Sequence, residues 1–322
     1  MNLSVVILAA GAGTRMRSDI PKVLHPIGGR AMLAHVLDAA FALAPTQVVV
    51  VYGHGGAMVR QSITNDRVEW VEQRERLGTG HAVSQAMPKI ADDSVTLVLY
   101  GDVPLIDPNT LRQLVEAARR DELAVLTTHL ANPTGYGRML RDANHKLMRI
   151  VEEKDAAPEQ KRITEVNTGF LAAPTARLRS WLGRLDSRNA QNEFYLTDVI
   201  GLAHDEGCAI GSASPQREDE ILGVNNRVQL ADLERRYQRH QTERLMLAGV
   251  TLLDPQRFDV RGVVEAGTDV SIDANVILEG VVKLGNRVRV GANVILRNAT
   301  VGDDVEIFSH SVIEDAVIGA RS

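Results

Sequence analysis

The sequence predicts an α/β fold in three successive parts: a Rossmann-like domain on a mostly parallel sheet, a long helix, and the first coils of a parallel β-helix. Three observations carry this. Short apolar runs alternate with amphipathic stretches over the first two-thirds of the chain, the pattern of strands joined by helical crossovers. A helical run from Arg227 to Ala248, rich in Leu, Glu, Arg and Gln, meets no breaker before Gly249. From about Val264, aliphatic residues return every six positions. The expected boundaries are 1–227 for the first domain, 228–248 for the helical linker and 249–322 for the coil.

In chain order, the candidate strands are Leu3–Ala9, Gln47–Tyr52, Val95–Tyr100 and Ala124–Leu130. Between them lie the helical patterns Ala31–Leu43, Ala57–Thr64, Gly80–Met87 and Pro108–Arg120. Helix-length crossovers imply parallel strands covered on both faces. Gly135–Glu153 reads as a hairpin-like excursion and Val166–Ala172 as another strand, before helices at Thr175–Leu185 and Leu196–Glu206. In the coil the repeating positions are Ile272, Leu278, Leu284, Val290 and Leu296; the register slips by one and resumes at Val301, Ile307 and Ile313. A meander of ordinary strands would not hold that period.

Composition supports the same division. Of 322 residues, 44% are hydrophobic but only 4% aromatic, so the core is aliphatic, as Val/Ile-rich parallel sheets and β-coils require. A net charge of −5 with interleaved signs argues against a nucleic-acid or membrane surface. The lone Cys208 excludes an internal disulfide and a cysteine metal site, and it reads as packing. The opening apolar run, Leu3–Ala10, has no basic region before it and is cut by Gly11, so it is neither a signal peptide nor a membrane span. A reducing cytoplasm is the expected location.

In such a sheet, chemistry collects beyond the carboxyl ends of the strands. The first strand runs into Leu8-Ala9-Ala10-Gly11-Ala12-Gly13-Thr14-Arg15-Met16, followed by Pro21-Lys22. Its glycines let backbone N–H groups approach an anion, and Arg15 and Lys22 add two cations for phosphate. It is not a dinucleotide fingerprint, because Met16 replaces the third glycine and Tyr52-Gly53-His54 replaces the acid after the second strand. Nor is it a Walker loop, which needs Gly-Lys-Ser/Thr. Asp102, after the apolar run Val95–Leu99, is placed to hold a hard cation such as Mg²⁺. The helix cap there is instead assigned to Asp107-Pro108. Gln73, which both donates and accepts, precedes Leu77-Gly78-Thr79-Gly80-His81, and His81 reads as helix-start packing. Gly137, Glu152, Asn167 and Asn225 are polar or small residues at element ends.

Taken together these residues resemble one family. LAAGAGTRM, PKVLH, VYGHGG, EQRERLGTGHA, LYGDVPLI, NPTGYGR, VEEKDA, EVNTG, GVNNR and the hexads are similar to the bifunctional bacterial N-acetylglucosamine-1-phosphate uridyltransferase/glucosamine-1-phosphate acetyltransferases, nearly throughout. LAAG-x-GTRM alone marks nucleotidyltransferases broadly; LGTGHA with GYGR and GVNNR is far more specific. The resemblance implies a Rossmann-like nucleotidyltransferase domain followed by a left-handed β-helix. Leu8, Ala9, Ala10 and Gly11 are then expected to contact the nucleotide, with Gln73, Gly78 and Thr79 around uracil and Arg15 and Lys22 on phosphates. Tyr100, Gly101, Gly137, Glu152 and Asn167 are expected around the sugar, and Asp102 and Asn225 on Mg²⁺.

The implied reaction converts UTP and N-acetylglucosamine-1-phosphate to UDP-N-acetylglucosamine, which feeds peptidoglycan and lipopolysaccharide precursors. A glucose-1-phosphate uridylyl- or thymidylyltransferase is the alternative. The resemblance also implies a homotrimer through the β-helix. Its acetyl-transfer residues fall beyond the equivalent of Ser322, and His310 and the scattered Arg287, Arg289 and Arg297 make no acyl site, so uridyl transfer without acetyl transfer is expected.

Overall fold

The computed structural model describes residues 2–53, 55–121 and 123–322; His54, noted above after the second strand, lies outside them. The chain forms two compact units, Met1–Leu24 with Met32–Asn225, and His25–Ala31 with Asn226–Ser322.

The first unit is built on β1 (Asn2–Ala9), α1 (Met32–Phe41), β2 (Gln47–Tyr52), α2 (Gly56–Ser62), β3 (Val68–Glu72), α3 (Thr79–Ala86), β4 (Ser94–Tyr100) and α4 (Pro108–Asp121). It continues with β5 (Leu123–His129), β6 (Gly137–Arg141), β7 (Leu147–Val151), β8 (Glu165–Pro174), α5 (Thr175–Leu182), α6 (Asp198–Asp205) and β9 (Ile210–Ala213). The sheet runs β9-β5-β8-β4-β1-β2-β3, with β6 also on β8 and β7 on β6. Along that path only β8 points against the others. The carboxyl ends of β1, β2, β3, β4 and β5 therefore share one edge with the start of β8.

Strand periodicity explains why both faces are covered. On β1, Val5 and Ile7 enter one core with Leu33 and Val36 of α1 and Leu111 and Leu114 of α4. Val6 and Leu8 enter the other with Val83 of α3, Trp181 of α5 and Val199 of α6. Alternate residues thus bury on opposite faces, which is why the strand reads as an unbroken apolar run. The expected strands and helices appear within a few residues, and Asp107 Oδ1 accepts from Asn109 N (2.8 Å) at the start of α4. The strand β3 was not foreseen. Its sequence, Val68-Glu69-Trp70-Val71-Glu72, carries acids at an edge position, where one row of partners is absent.

In the second unit, one helix, α7 (Arg227–Leu247), occupies the expected linker stretch and is capped by Asn226, whose side chain accepts from Gln229 N at 2.9 Å. The small hairpin of Pro26–Ile27 and Arg30–Ala31 belongs to this unit: Gly28 N donates to Glu234 Oε2 of α7 at 2.7 Å. The coil stacks in parallel. Phe258 pairs with Val276 and Ile277 with Ile295, eighteen residues on, or three hexads per turn. Lys283 then pairs with Thr300 and Ile295 with Val312, seventeen on, where the sequence register slips. The hexad aliphatics from Ile272 to Ile307 are buried. The stack begins earlier than about Val264: Thr251–Leu252 already pairs with Ser271–Ile272.

Candidate functional site

The loop after β1 is shaped around Lys22. Gly13 is left-handed (φ 60), and a Cβ there would lie 2.8 Å from Lys22 Cβ, so glycine alone lets the lysine approach. At Gly11 a Cβ would meet no protein atom within 4 Å, so the space above that peptide is open to a ligand. The Lys22 ammonium contacts Asp102 Oδ2 and lies 3.2 Å from Asn225 Oδ1. Arg15 Nη2 donates to the same Asn225 oxygen at 3.0 Å. The Asn225 loop is tied down beside β4, since Val224 N donates to Asp102 O at 3.0 Å. Lys22 and Asp102 side chains are only 11% and 18% exposed, so their charges sit in a partly desolvated place where they interact strongly.

Beside this cluster lies a cavity of about 380 Å³. Leu8 to Ala12, Lys22, Tyr100 and Asp102 line one side; Gln73, Gly78 and Thr79 line the other. The second group stands on β3 and α3. Gln73 follows the last residue of β3, which is how an unforeseen strand brings a foreseen residue to the site. Gly78 has φ 105, and a Cβ there would sit 2.6 Å from Phe194 O, so the chain can turn into α3 only with glycine. Thr79 Oγ1 accepts from Leu196 N at 3.1 Å, which leaves its hydroxyl proton for another acceptor.

Tyr100 leads from this cavity into a small recess that it shares with Asn167, Thr197 and the apolar Val125, Ile150 and Leu196. Gly101 sits at the turn, its N–H donating to Leu8 O at 2.9 Å. Asn167 pairs with Gly137 across β8 and β6. A Cβ on Gly137 would fall 2.9 Å from Ile150 and 3.5 Å from Glu152 Oε2, so glycine leaves room for that carboxylate. Glu152 Oε1 accepts from the Thr197 hydroxyl at 2.9 Å. Burial pushes the Glu152 carboxyl up, and the charges of Asp155 and Glu193 push the same way against the Thr197 bond. Tyr100 is held un-ionised by burial, reinforced by Glu152 and Asp102.

All the foreseen positions therefore gather along one sheet edge in two adjoining groups. Sequence reading missed Glu193, Phe194, Tyr195, Thr197 and Asp198. The first four lie between α5 and α6 and Asp198 opens α6, on a segment with no strand before it and no period of its own; only that acid at a helix start marks it locally. One reading is corrected: His81 does more than pack, because both its ring nitrogens meet side-chain amides.

Asp102 Oδ2 and Asn225 Oδ1 converge on a single cationic atom, the Lys22 nitrogen. Two oxygens around one cation fit a hard divalent ion such as Mg²⁺. Among the described residues no group of three or more His, Cys, Asp or Glu side chains is placed for a metal. Further ligands would have to be phosphate oxygens and water, which Mg²⁺ habitually takes.

The comparison with known families falls on this unit. The family model of the MobA-like NTP transferase domain matches residues 5–164. The NTP transferase match thus takes in the loop after β1, Gln73 to Thr79, Asp102 and Glu152. Among solved structures, UDP-glucose pyrophosphorylase complexed with UDP-glucose superposes with TM-score 0.63 at 17% identity, covering 74% of this chain and 100% of that one. Its apo form gives 0.63 at 16%, covering 75% and 100%. A nucleotidyl transferase from Methanothermobacter thermautotroptrophicus gives 0.53 at 20%, covering 74% and 99%. At such identities the likeness is one of fold. No described helix is long and apolar enough to cross a membrane.

Proposed function

We propose that this protein transfers UMP from UTP to N-acetylglucosamine-1-phosphate, releasing pyrophosphate. The observation that carries the reading is the convergence of Arg15, Lys22, Asp102 and Asn225, of which Lys22 and Asp102 line the cavity with the loop after β1. Nucleotide binding alone needs no such set, whereas phosphoryl transfer between anions does. The small recess beside Tyr100 and Asn167 offers an apolar wall for an acetamido methyl group to rest against, and Glu152, which lines a neighbouring cavity with Thr197, is placed to accept from a sugar hydroxyl.

The attacking atom is a phosphate oxygen, anionic at neutral pH, so no general base is required. The barrier is the approach of two anions and the charge that gathers on departing pyrophosphate. The loop N–H groups hold the triphosphate in line, while Arg15 and Lys22 offset its charge. Bound Mg²⁺ on Asp102 and Asn225 would add further charge neutralisation between the two phosphates. Loss of one such cationic contact costs about 3–4 kcal/mol, or about a few hundred-fold in rate. Assembly as a homotrimer through the coil belongs to the same proposal.

The test is pyrophosphate release with UTP, dTTP, CTP or ATP against N-acetylglucosamine-, glucosamine- and glucose-1-phosphate. Preference for UTP with the N-acetylated sugar is expected. Preference for glucose-1-phosphate would replace this reading with a glucose-1-phosphate uridylyltransferase.

A further inference from the structure

We infer that His81 is a positioning residue that fixes which way the Gln73 carboxamide faces, and so makes the base site select uracil over cytosine. This rests on the reading of the cavity as a nucleotide site.

Gln73 is 5% exposed and its backbone is pinned by a bond from its N–H to Tyr52 O (2.8 Å). Its side-chain nitrogen lies 3.1 Å from Gly78 O and 3.0 Å from His81 Nδ1. A carboxamide nitrogen carries two hydrogens. Gly78 O can only accept, so it takes one of them and favours, without alone securing, this orientation of the amide. The second then points at Nδ1, which accepts it only if that nitrogen carries no proton. The proton of a neutral imidazole must therefore be on Nε2. There the Gln85 carboxamide, 3.2 Å away and one helical turn along α3, can meet it by a half-turn that presents its oxygen. The ring itself is held against Phe194, with centroids 6.4 Å apart, and Phe194 O in turn accepts from Gly80 N at 2.8 Å.

The consequence is at the far end of the Gln73 amide. With both hydrogens committed, only its oxygen remains to be offered, and among the described residues no group donates to it. Gln73 lines the cavity; His81 does not. An oxygen presented there accepts from the N3–H of uracil and repels the N3 lone pair of cytosine. A protonated Nδ1, or a donor in its place, would press the amide to turn over against its bond to Gly78 O, and an amide so turned offers its NH₂ instead, which favours the cytosine edge. His81 thus acts on the base only through Gln73.

Two measurements test this. Long-range ¹H–¹⁵N correlation spectra of the nucleotide-free protein at pH 8 should show His81 as the Nε2–H tautomer with Nδ1 unprotonated. An Nδ1–H tautomer overturns the proposal whatever the nucleotide preference proves to be. In kinetics, His81→Phe keeps a ring beside Phe194 but removes both nitrogens. Its UTP:CTP ratio in kcat/KM should fall by about tenfold, equivalent to about 1.4 kcal/mol, with the loss falling on KM for UTP more than on kcat. His81→Asn, whose amide oxygen can stand near the Nδ1 position, should recover most of the ratio. A merely structural histidine would lower rates for both nucleotides together, so an unchanged ratio in a folded His81→Phe overturns the proposal. If the unaltered protein does not prefer UTP, the base assignment fails, and the tautomer still decides the role of His81.

Discussion

Two oxygens and two cations meet at Lys22, and they cannot keep those partners once a divalent ion arrives. The ammonium lies where Asp102 and Asn225 converge, so a metal ion held there as proposed would have to displace it. Two cations about 4 Å apart repel by about 4 kcal/mol per charge product at an effective dielectric near 20. Lys22→Met is therefore expected to move two readings in opposite directions. Mn²⁺ affinity of the nucleotide-free protein, followed by electron paramagnetic resonance, should rise at least about tenfold, while turnover falls about a few hundred-fold. Weaker Mn²⁺ binding would mean that Lys22 does not compete for this position. Asp102→Ala should reduce turnover by about a hundredfold or more. It leaves a mostly buried ammonium facing Asn225 alone, so a loss of about 1–3 kcal/mol in urea unfolding is also expected. At this scale the sequence was legible where a residue follows a recognisable parallel strand: Gly11 and Asp102 were named because they follow such strands, whereas Gln73 was named only for its donor and acceptor pair ahead of Leu77-Gly78-Thr79. Thr197 and Glu193 were not, because the fold brings their loop to the site from far along the chain.

The segment leading into α6 shows how an element's own physics and its neighbours can disagree. Asp198 is the first residue of the helix, where the dipole favours an anion. Yet its carboxyl is pushed up to about 6, by burial first and then by Glu152, Asp186 and Asp155, with Arg149 opposing. The folded pKa lies above the unfolded one, so the fold prefers the protonated acid. That contribution is complete below about pH 4 and is lost as pH rises through about 6. Because more than a third of the residue still reaches solvent, screening limits the effect to about 1 kcal/mol. Asp198→Asn should match the unaltered protein in thermal melts at pH 4 and gain a few degrees, at most, at pH 8. A gain that is larger at pH 4 would reverse the assigned sign. Elements with a strong period were the readable ones: the two-residue alternation in β1 is masked by burial on both faces, but its length and flanking glycine identify it. The edge strand β3 has acids among its five residues, and the first coil strand, Thr251–Leu252, is too short to show a period at all.

Each unit has an aliphatic core of its own, the coil's running from Leu245 to Ile307, and this separates their responses to ligand and to concentration. A ligand that binds only the folded first unit stabilises that unit by about 2.7 kcal/mol at a hundred times its Kd. Calorimetry should therefore show UTP with Mg²⁺ raising one transition and leaving the other in place. The second transition is the one that assembly should govern. On the coil, Val263 and Val281 are paired in register on adjacent turns and each remains 53% exposed, while Phe308 is 73% exposed. Stacked valines left in water are an apolar stripe, and covering each returns about 1 kcal/mol. Three chains meeting along such a stripe make a closed, symmetric contact. If the chain assembles as the proposed trimer, light scattering at micromolar concentration should show it, and the coil's transition should rise with protein concentration while the other does not. Val281→Asp puts a charge in the middle of the stripe without touching the buried hexad positions. It should yield monomers whose melting no longer depends on concentration. A monomer from the unaltered chain, or a trimer that survives Val281→Asp, would mean that this stripe does not join the subunits.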